Sequence, residues 1–258
     1  MNPPPNVQAG ISFQPIHLLA GGGRSRRKSG DPLLADCLAL AGKPAPEVAY
    51  VGAASGDDPS FFKYLSGLFR EAGADRVHLV PLSSPRADAD AACHQLSRAD
   101  LVFISGGDVE AGMQCLRRHR LIPFLRRLHS GGKPFFGLSA GSIMLCHHWV
   151  RWTDPDDDGS ARLFQCLGLA PLVCDTHAEK EDWVELKTLL HLMPEGNVGY
   201  GIPAGGGLRV SRPDCILALG KPISRFRRER QGIRRLPPLE PDGHPALHPP
   251  LTPPPEPP

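Results

Sequence analysis

The sequence predicts an α/β fold in which a mostly parallel sheet is covered by helices on both faces. Short apolar runs that suit strands alternate with segments of helix-like apolar spacing between residues 16 and 147. Glycines close several of these segments, as Gly21-Gly22-Gly23 closes the first strand and Gly42 the first helix. Such alternation implies parallel strands joined by helical crossovers. In sheets of this kind, functional side chains gather at the carboxyl ends of the strands.

The predicted elements follow in chain order. In the first part of the chain, the strands are 16–20, 48–52, 76–82, 101–104 and 133–137. The helices that follow these strands are 31–41, 60–72, 87–97, 109–118, 122–128 and 140–147. The helix at 60–72 is typical, because Phe61, Leu65 and Phe69 recur at four-residue steps. Beyond residue 170 we expect a strand at 172–176, a helix at 180–191, and strands at 199–203, 207–211, 215–219 and 222–230.

The chain of 258 residues is long enough for one substantial α/β domain, which we place at residues 15–230. Residues 1–14 are rich in proline and polar residues and predict a loose leader. Residues 231–258 are dominated by proline and show almost no apolar periodicity. That composition predicts a disordered tail.

Composition disfavours several classes of protein. A formal net charge of +2 argues against a dedicated nucleic-acid binder, which usually carries a strongly basic surface. No apolar run reaches the ~18 residues that a membrane span needs, and the amino-terminal residues lack the apolar segment of a secretory signal. The seven cysteines are scattered and form no C-x-x-C pair. We therefore expect reduced thiols, no metal site and a cytoplasmic location.

The segment around Ser139 carries the main functional signal. Gly137-x-Ser139-x-Gly141 stands between an apolar strand and an apolar helix, which is the setting of a nucleophile elbow. Small neighbours permit the sharp turn, and the amino terminus of the helix stabilises a developing oxyanion. The alternative is a structural turn whose serine only caps the helix. The pattern favours Ser139 as a nucleophile.

A serine nucleophile needs a base and a group that orients the base. The downstream histidines are His147, His148, His177 and His191. We favour His177 because it directly follows the strand at 172–176, where a parallel strand delivers side chains to the active edge. The residues alone leave the orienting carboxylate open among Asp154, Asp175, Asp156, Asp157 and Asp158.

These residues together resemble the serine peptidase family of aspartyl dipeptidase and cyanophycinase. The resemblance rests on Gly137-x-Ser-Ala-Gly141, an aspartate fifteen positions after the serine, and a histidine soon after a strand. Further marks are Phe103-Ile-Ser-Gly-Gly107, Gly168-Leu-Ala and Gly199-Tyr-Gly-Ile-Pro203, so that the resemblance covers about residues 15–230. It implies a flavodoxin-like fold related to class I glutamine amidotransferase domains.

The resemblance also implies roles for particular residues. It makes Ser139 the nucleophile, His177 the general base and Asp154 the third member, and it places the oxyanion hole at the backbone N–H groups of Gly107 and Ala140. The implied reaction is hydrolysis of a small aspartyl or isoaspartyl peptide through an acyl-enzyme, without a cofactor. We expect a small peptide as partner, no nucleic acid and no membrane, and we allow for a homodimer.

The chain departs from the family at two positions. Ala204 stands where the cyanophycinase branch has its glutamate, which favours Asp154 as the third member. Ser142 stands where many relatives have alanine.

Two other functions fit parts of the pattern. An esterase of the α/β-hydrolase type shares the order serine, aspartate, histidine, but it usually has an H-G-G-G element and more residues between Ser139 and His177. A binding protein that kept the fold and lost catalysis is the second.

The run Asp154–Gly159 resembles the start of a calcium loop, but the twelfth position is Gln165, and we interpret it as an acidic turn. The basic clusters 24–28 and 225–230 are expected to be solvated surface.

Overall fold

The structure is a computed structural model that describes residues 13–22, 31–154, 156–241 and 244–252. Most of the predicted leader, the basic cluster at 24–28 and the last six residues of the chain lie outside the described residues.

The elements are defined by the following bounds. The helices are Pro32–Ala39 (α1), Pro59–Glu71 (α2), Ala89–Arg98 (α3), Val109–Arg118 (α4), Ile122–Ser130 (α5), Ala140–Leu145 (α6) and Val184–His191 (α7). The first eight strands are Ile16–Leu19 (β1), Glu47–Val51 (β2), Arg76–Val80 (β3), Leu101–Ile104 (β4), Phe135–Leu138 (β5), His148–Trp152 (β6), Ala161–Gln165 (β7) and Val173–Thr176 (β8). The others are Val198–Ile202 (β9), Gly207–Arg212 (β10), Cys215–Leu219 (β11), Ile223–Glu229 (β12), Gly232–Leu239 (β13) and Ala246–Leu247 (β14).

The central sheet has eight strands in the order β14-β11-β10-β1-β5-β4-β2-β3. The five strands from β1 to β3 in this order are parallel to one another, and the remaining three are antiparallel. The order β3-β2-β4-β5 corresponds to that of a flavodoxin-like sheet. The predicted α/β class with a mostly parallel sheet is confirmed.

Alternate side chains of the strands enter two separate cores. In β4, Leu101 and Phe103 pack with α1 and α2, whereas Val102 and Ile104 pack with α4 and α6 on the opposite face. All four side chains are fully buried. Burial on both faces explains why this strand is continuously apolar in sequence.

Aspartates fix where the helices begin. Asp31, Asp58, Asp88 and Asp108 each accept a backbone N–H of the first turn of the helix that follows. A side-chain acceptor at this position satisfies amides that have no partner within the helix, and proline after the first two of these aspartates suits the first helical position.

A second sheet has the order β13-β12-β9-β8 and is covered by α7. Its strand β8 runs parallel to β9 and ends immediately before His177. Strands β6 and β7 form a separate antiparallel hairpin whose turn holds Asp154 and residues 156–159 of the acidic run. The hairpin was not predicted, and the helix predicted at 140–147 ends at Leu145 because the chain becomes extended at Cys146.

The prediction of a disordered tail is wrong for the described residues after residue 231. Strand β13 pairs with β12, and β14 pairs with β11 at the edge of the central sheet. Pro237 and Pro238 are tolerated because β13 is an edge strand and because its register with β12 shifts between Leu236 and Leu239, where the two prolines stand.

A buried polar contact holds the end of this segment against the second sheet. The Tyr200 hydroxyl donates to Nδ1 of buried His248 at 2.7 Å, and Nε2 of His248 donates to the Pro171 carbonyl at 3.0 Å. Burial lowers the pKa of His248, which agrees with a neutral ring that accepts at one nitrogen and donates at the other.

Candidate active site

The predicted functional residues gather at the carboxyl ends of the parallel strands. Ser139 follows β5, Gly106 and Gly107 follow β4, and Gly21 lies just after β1. His177 reaches the same place from β8 of the second sheet. These residues line one cavity of about 870 Å³.

Ser139 has the backbone of a nucleophile elbow. Its φ of 54° and ψ of −123° are rare for a residue with a side chain. Its N–H donates to the Leu19 carbonyl at 2.8 Å. A methyl group at Gly137 would lie 2.6 Å from the carbonyl carbon of Gly141, and one at Gly141 would lie 2.0 Å from the Ile104 oxygen. The close packing of strand and helix therefore requires glycine at both positions of the motif.

The unusual Ser142 has a structural role in this elbow. Its hydroxyl is fully buried and donates to the Leu19 carbonyl at 2.8 Å. The same carbonyl oxygen thus accepts from Ser139 and from Ser142. The serine in place of alanine adds a second hydrogen bond that holds the elbow against β1.

The structure brings Ser139 and His177 together. Ser139 Oγ lies 2.7 Å from His177 Nε2, a distance at which the hydroxyl can donate its proton to the ring. The His177 N–H donates to the Ile202 carbonyl at 2.8 Å, and its φ of 46° turns the chain at the end of β8. The other candidate bases lie elsewhere: His148 begins β6, His147 directly precedes it and His191 ends α7. None of these three histidines lines the cavity.

Asp154 forms no hydrogen bond with His177 in the described part of the chain. It is exposed in the turn between β6 and β7, where its Oδ1 accepts the Asp156 N–H at 3.1 Å. Among the described residues, no carboxylate forms a hydrogen bond or an ion pair with His177. The structure therefore brings together the serine and the histidine as a pair.

Asp175 is the buried carboxyl group nearest to His177 in the sequence. It lies in β8, is 6% exposed, and accepts the Thr176 N–H through Oδ1 at 2.7 Å. Its Oδ2 is buried without a hydrogen-bond partner within the described part of the chain. Burial raises the pKa of Asp175 to about 7, with a smaller contribution from the negative charges of Glu185 and Glu181.

The two backbone N–H groups expected to form an oxyanion hole are those of Gly107 and Ala140. Ala140 is the first residue of α6, so its amide has no acceptor within the helix. Gly107 has a φ of 138°, and a methyl group there would lie 2.0 Å from the Ala54 carbonyl oxygen. The same oxygen accepts the Asp108 N–H at 2.8 Å and fixes the loop. Neither amide has an acceptor within the ranges that the structure describes.

The wall of the cavity was not predicted, although α2 was. Phe61, Tyr64, Leu65 and Leu68 line the cavity at the spacing i, i+3, i+4, i+7. This spacing is visible in the sequence, but a helix face that packs into the core has the same spacing, so it does not distinguish a cavity wall from a core face. Leu65 in fact also packs in the core.

The described residues contain no group of three or more histidine, cysteine, aspartate or glutamate side chains placed to hold a metal ion. Within the same ranges, no helix has the length and apolar character needed to cross a membrane.

A flavodoxin-like sheet with a serine in an elbow and a histidine at 2.7 Å defines the chain as a serine hydrolase of the α/β class. The sequence model of peptidase family S51 matches residues 16–216. The chain belongs to peptidase family S51 and is a serine-type peptidase.

Similar proteins agree with this assignment. Peptidase E of Streptomyces coelicolor is 26% identical over an alignment of 189 residues that covers 70% of this chain and 74% of that protein. Peptidase E of Pasteurella multocida is 30% identical over 197 residues, covering 69% of this chain and 76% of that protein. The crystal structure of a peptidase from an acI-B1 actinobacterium superposes on this chain with a TM-score of 0.67 at 16% sequence identity. The superposition covers 90% of this chain and 98% of the peptidase chain, which supports the fold.

Proposed function

We propose that the chain hydrolyses small peptides through an acyl-enzyme formed on Ser139. The observation that carries this proposal is the 2.7 Å contact between Ser139 Oγ and His177 Nε2 in the wall of one cavity. His177 takes the hydroxyl proton as Ser139 attacks the carbonyl carbon, and then gives that proton to the leaving amine. Water hydrolyses the acyl-enzyme in the reverse sequence of proton transfers.

The N–H groups of Gly107 and Ala140 are proposed to bind the oxyanion of the tetrahedral intermediate. Both are held by their elements before substrate arrives, so they need no reorganisation during the reaction. The positive end of α6 adds to the stabilisation of negative charge at the same place.

Asp154 is proposed as the group that orients His177, on the basis of its spacing from Ser139 in the family. Asp175 is the second candidate, because it lies two residues before His177 and is buried. Asp154→Asn and Asp175→Asn separate them: the variant that lacks the orienting carboxylate loses kcat and shifts the acid limb of the pH profile, whereas the other keeps both.

The test of the proposed function compares wild type with Ser139→Ala and with Ser130→Ala, in which an exposed serine of α5 is removed. The substrates are small peptides that include aspartyl and isoaspartyl dipeptides, which the family resemblance favours. We expect wild type and Ser130→Ala to cleave peptides and to react with a fluorophosphonate probe, and Ser139→Ala to do neither. Equal turnover by Ser139→Ala would refute the proposal, and so would labelling at another serine.

A further inference from the structure

We propose that Ser105 is a positioning residue for the oxyanion hole. Its hydroxyl group holds the peptide between Gly106 and Gly107 in the orientation that directs the Gly107 N–H toward the reacting carbonyl group. This proposal rests on the proposed function of Ser139, and it gives a role to the serine of the run Phe103-Ile-Ser-Gly-Gly107.

The two groups on which the proposal depends belong to one peptide unit. The Gly106 carbonyl and the Gly107 N–H lie in the same plane, and in a trans peptide they point in opposite directions. A donor that fixes the carbonyl on one side of this unit therefore also fixes the direction of the N–H on the other side.

Ser105 is the donor to this carbonyl group. Its Oγ donates to the Gly106 oxygen at 3.2 Å, and no other donor to that oxygen is found in the part of the chain that the structure describes. Ser105 is fully buried and Gly106 is also buried, whereas Gly107 is exposed and lines the cavity. The carbonyl group is thus held from the interior of the protein, and the residue that carries the N–H opens on the cavity.

The Ser105 hydroxyl is held in turn by a neighbouring loop. The Ser105 N–H donates to the Val51 carbonyl at 3.0 Å, which fixes the backbone of the residue. Ser55 Oγ lies 3.3 Å from Ser105 Oγ and donates to the Gly52 carbonyl at 3.0 Å. Because Ser55 has a single hydroxyl proton and gives it to Gly52, the Ser105 proton remains for the Gly106 carbonyl.

The oriented peptide stands directly beside the nucleophile. A methyl group at Gly106 would lie 3.3 Å from Ser139 Cβ and 3.2 Å from the Leu138 carbonyl oxygen, so the bare backbone forms this part of the cavity wall. Rotation of the peptide unit would turn its carbonyl oxygen, in place of the N–H, toward the oxyanion. Two negative oxygens would then face each other, which raises the energy of the transition state.

The experiment compares wild type with Ser105→Ala, Ser105→Cys and Ser66→Ala. Ser66 is a buried serine of α2 whose hydroxyl has no hydrogen-bond partner within the described residues, so its replacement is a matched control. We measure kcat and KM with the dipeptide that wild type cleaves fastest, and inhibition by the trifluoromethyl ketone built on the acyl residue of that dipeptide. Ser139 Oγ adds to the ketone carbon, the hydroxyl proton passes to His177, and the former carbonyl oxygen takes the negative charge. Binding of the ketone therefore reports the oxyanion hole.

Ser105→Ala should lower kcat ~10-fold and weaken ketone binding by a similar factor, with KM within ~2-fold of wild type. This loss is smaller than the ~10² to 10³ expected for an absent donor, because the peptide stays in place and is misdirected for part of the time. Ser105→Cys keeps a weak donor and should lie between Ser105→Ala and wild type. Ser66→Ala should match wild type. A purely structural role of Ser105 would lower the free energy of unfolding and leave kcat and ketone binding of the folded protein unchanged.

Wild-type kcat and ketone affinity in folded Ser105→Ala and Ser105→Cys overturn the positioning role and leave the serine mechanism standing. If Ser105→Ala does not fold, Ser105→Cys decides between the two results. Fluorine NMR of the bound ketone tests the proposed function separately, because the hemiketal signal should be present in wild type and absent in Ser139→Ala. Absence of that signal from wild type refutes the function of Ser139 and, with it, the role of Ser105.

Discussion

Replacement of Gly107 by alanine tests the oxyanion hole directly. The added methyl group would lie 2.0 Å from the Ala54 oxygen, whereas ordinary contact begins near 3.4 Å. The loop after β4 must therefore move by about 1.4 Å. The φ of 138° adds backbone strain, because side chains rarely adopt it.

The size of the expected effect follows from this displacement. An oxyanion donor acts at about 2.7–3.1 Å, so a shift of this size moves the Gly107 N–H out of hydrogen-bond range. Loss of one such donor lowers kcat by ~10² to 10³. KM should change little, because the donor binds the transition state more strongly than the substrate.

The assay compares peptide hydrolysis by Gly107→Ala, Gly73→Ala and wild type at saturating substrate. Gly73 is exposed, has a φ of 113°, and has no atom within 4 Å of an added methyl group, so its variant carries strain without a clash. We expect Gly73→Ala to lose about 1–2 kcal/mol of stability and to keep its kcat. Wild-type kcat in folded Gly107→Ala would refute the oxyanion assignment.

Three further predictions concern stability. The pKa of Asp175 is about 7 in the folded state, against an ordinary value of 3.8. The contribution of this carboxyl group to stability is therefore fully present below pH 3.8 and is lost as pH rises through 7. Urea titrations should therefore show that the free energy of unfolding of wild type falls by about 2.5 kcal/mol between pH 5 and pH 8, and that of Asp175→Asn falls much less. Equal losses in the two proteins would contradict the raised pKa. Ser142→Ala removes one of the two hydrogen bonds on the Leu19 carbonyl and should lower the free energy of unfolding by about 1 kcal/mol with little change in kcat. His248→Ala leaves the buried Tyr200 hydroxyl without its acceptor and should cost about 1–3 kcal/mol, and adding Tyr200→Phe should recover part of that cost. Full additivity of these two substitutions in urea denaturation would show that the contact contributes nothing.

The sequence predicts the parallel half of the central sheet well, because there local signals and tertiary burial agree. The bounds of β4 and α4 are those expected from apolar runs and their flanking residues. Ser139 was found because the elbow requires small residues at fixed spacing, and His177 because it directly follows a strand. Each of these features depends on a few residues that are neighbours in the sequence.

The rest depends on pairings between distant residues. Strand β13 contains two prolines and two arginines, and its edge position beside β12 makes that composition suitable for a strand. The contact of His248 with Tyr200 spans 48 positions and has no local signature. Asp154 was chosen by its spacing of fifteen positions from Ser139. This spacing does not determine where the turn between β6 and β7 lies in the folded chain.

The two hydrogen bonds that Leu19 accepts make the turn at Ser139 a late product of folding. Leu19 and Ser142 are 123 positions apart, so the elbow cannot take its strained shape until β1 has docked beside β5. Contacts of such long sequence separation form slowly, because loop closure must precede them. Recovery of peptidase activity during refolding should therefore follow the docking of β1 beside β5. Helical circular dichroism that returns before this activity would come from molecules that do not yet cleave peptides.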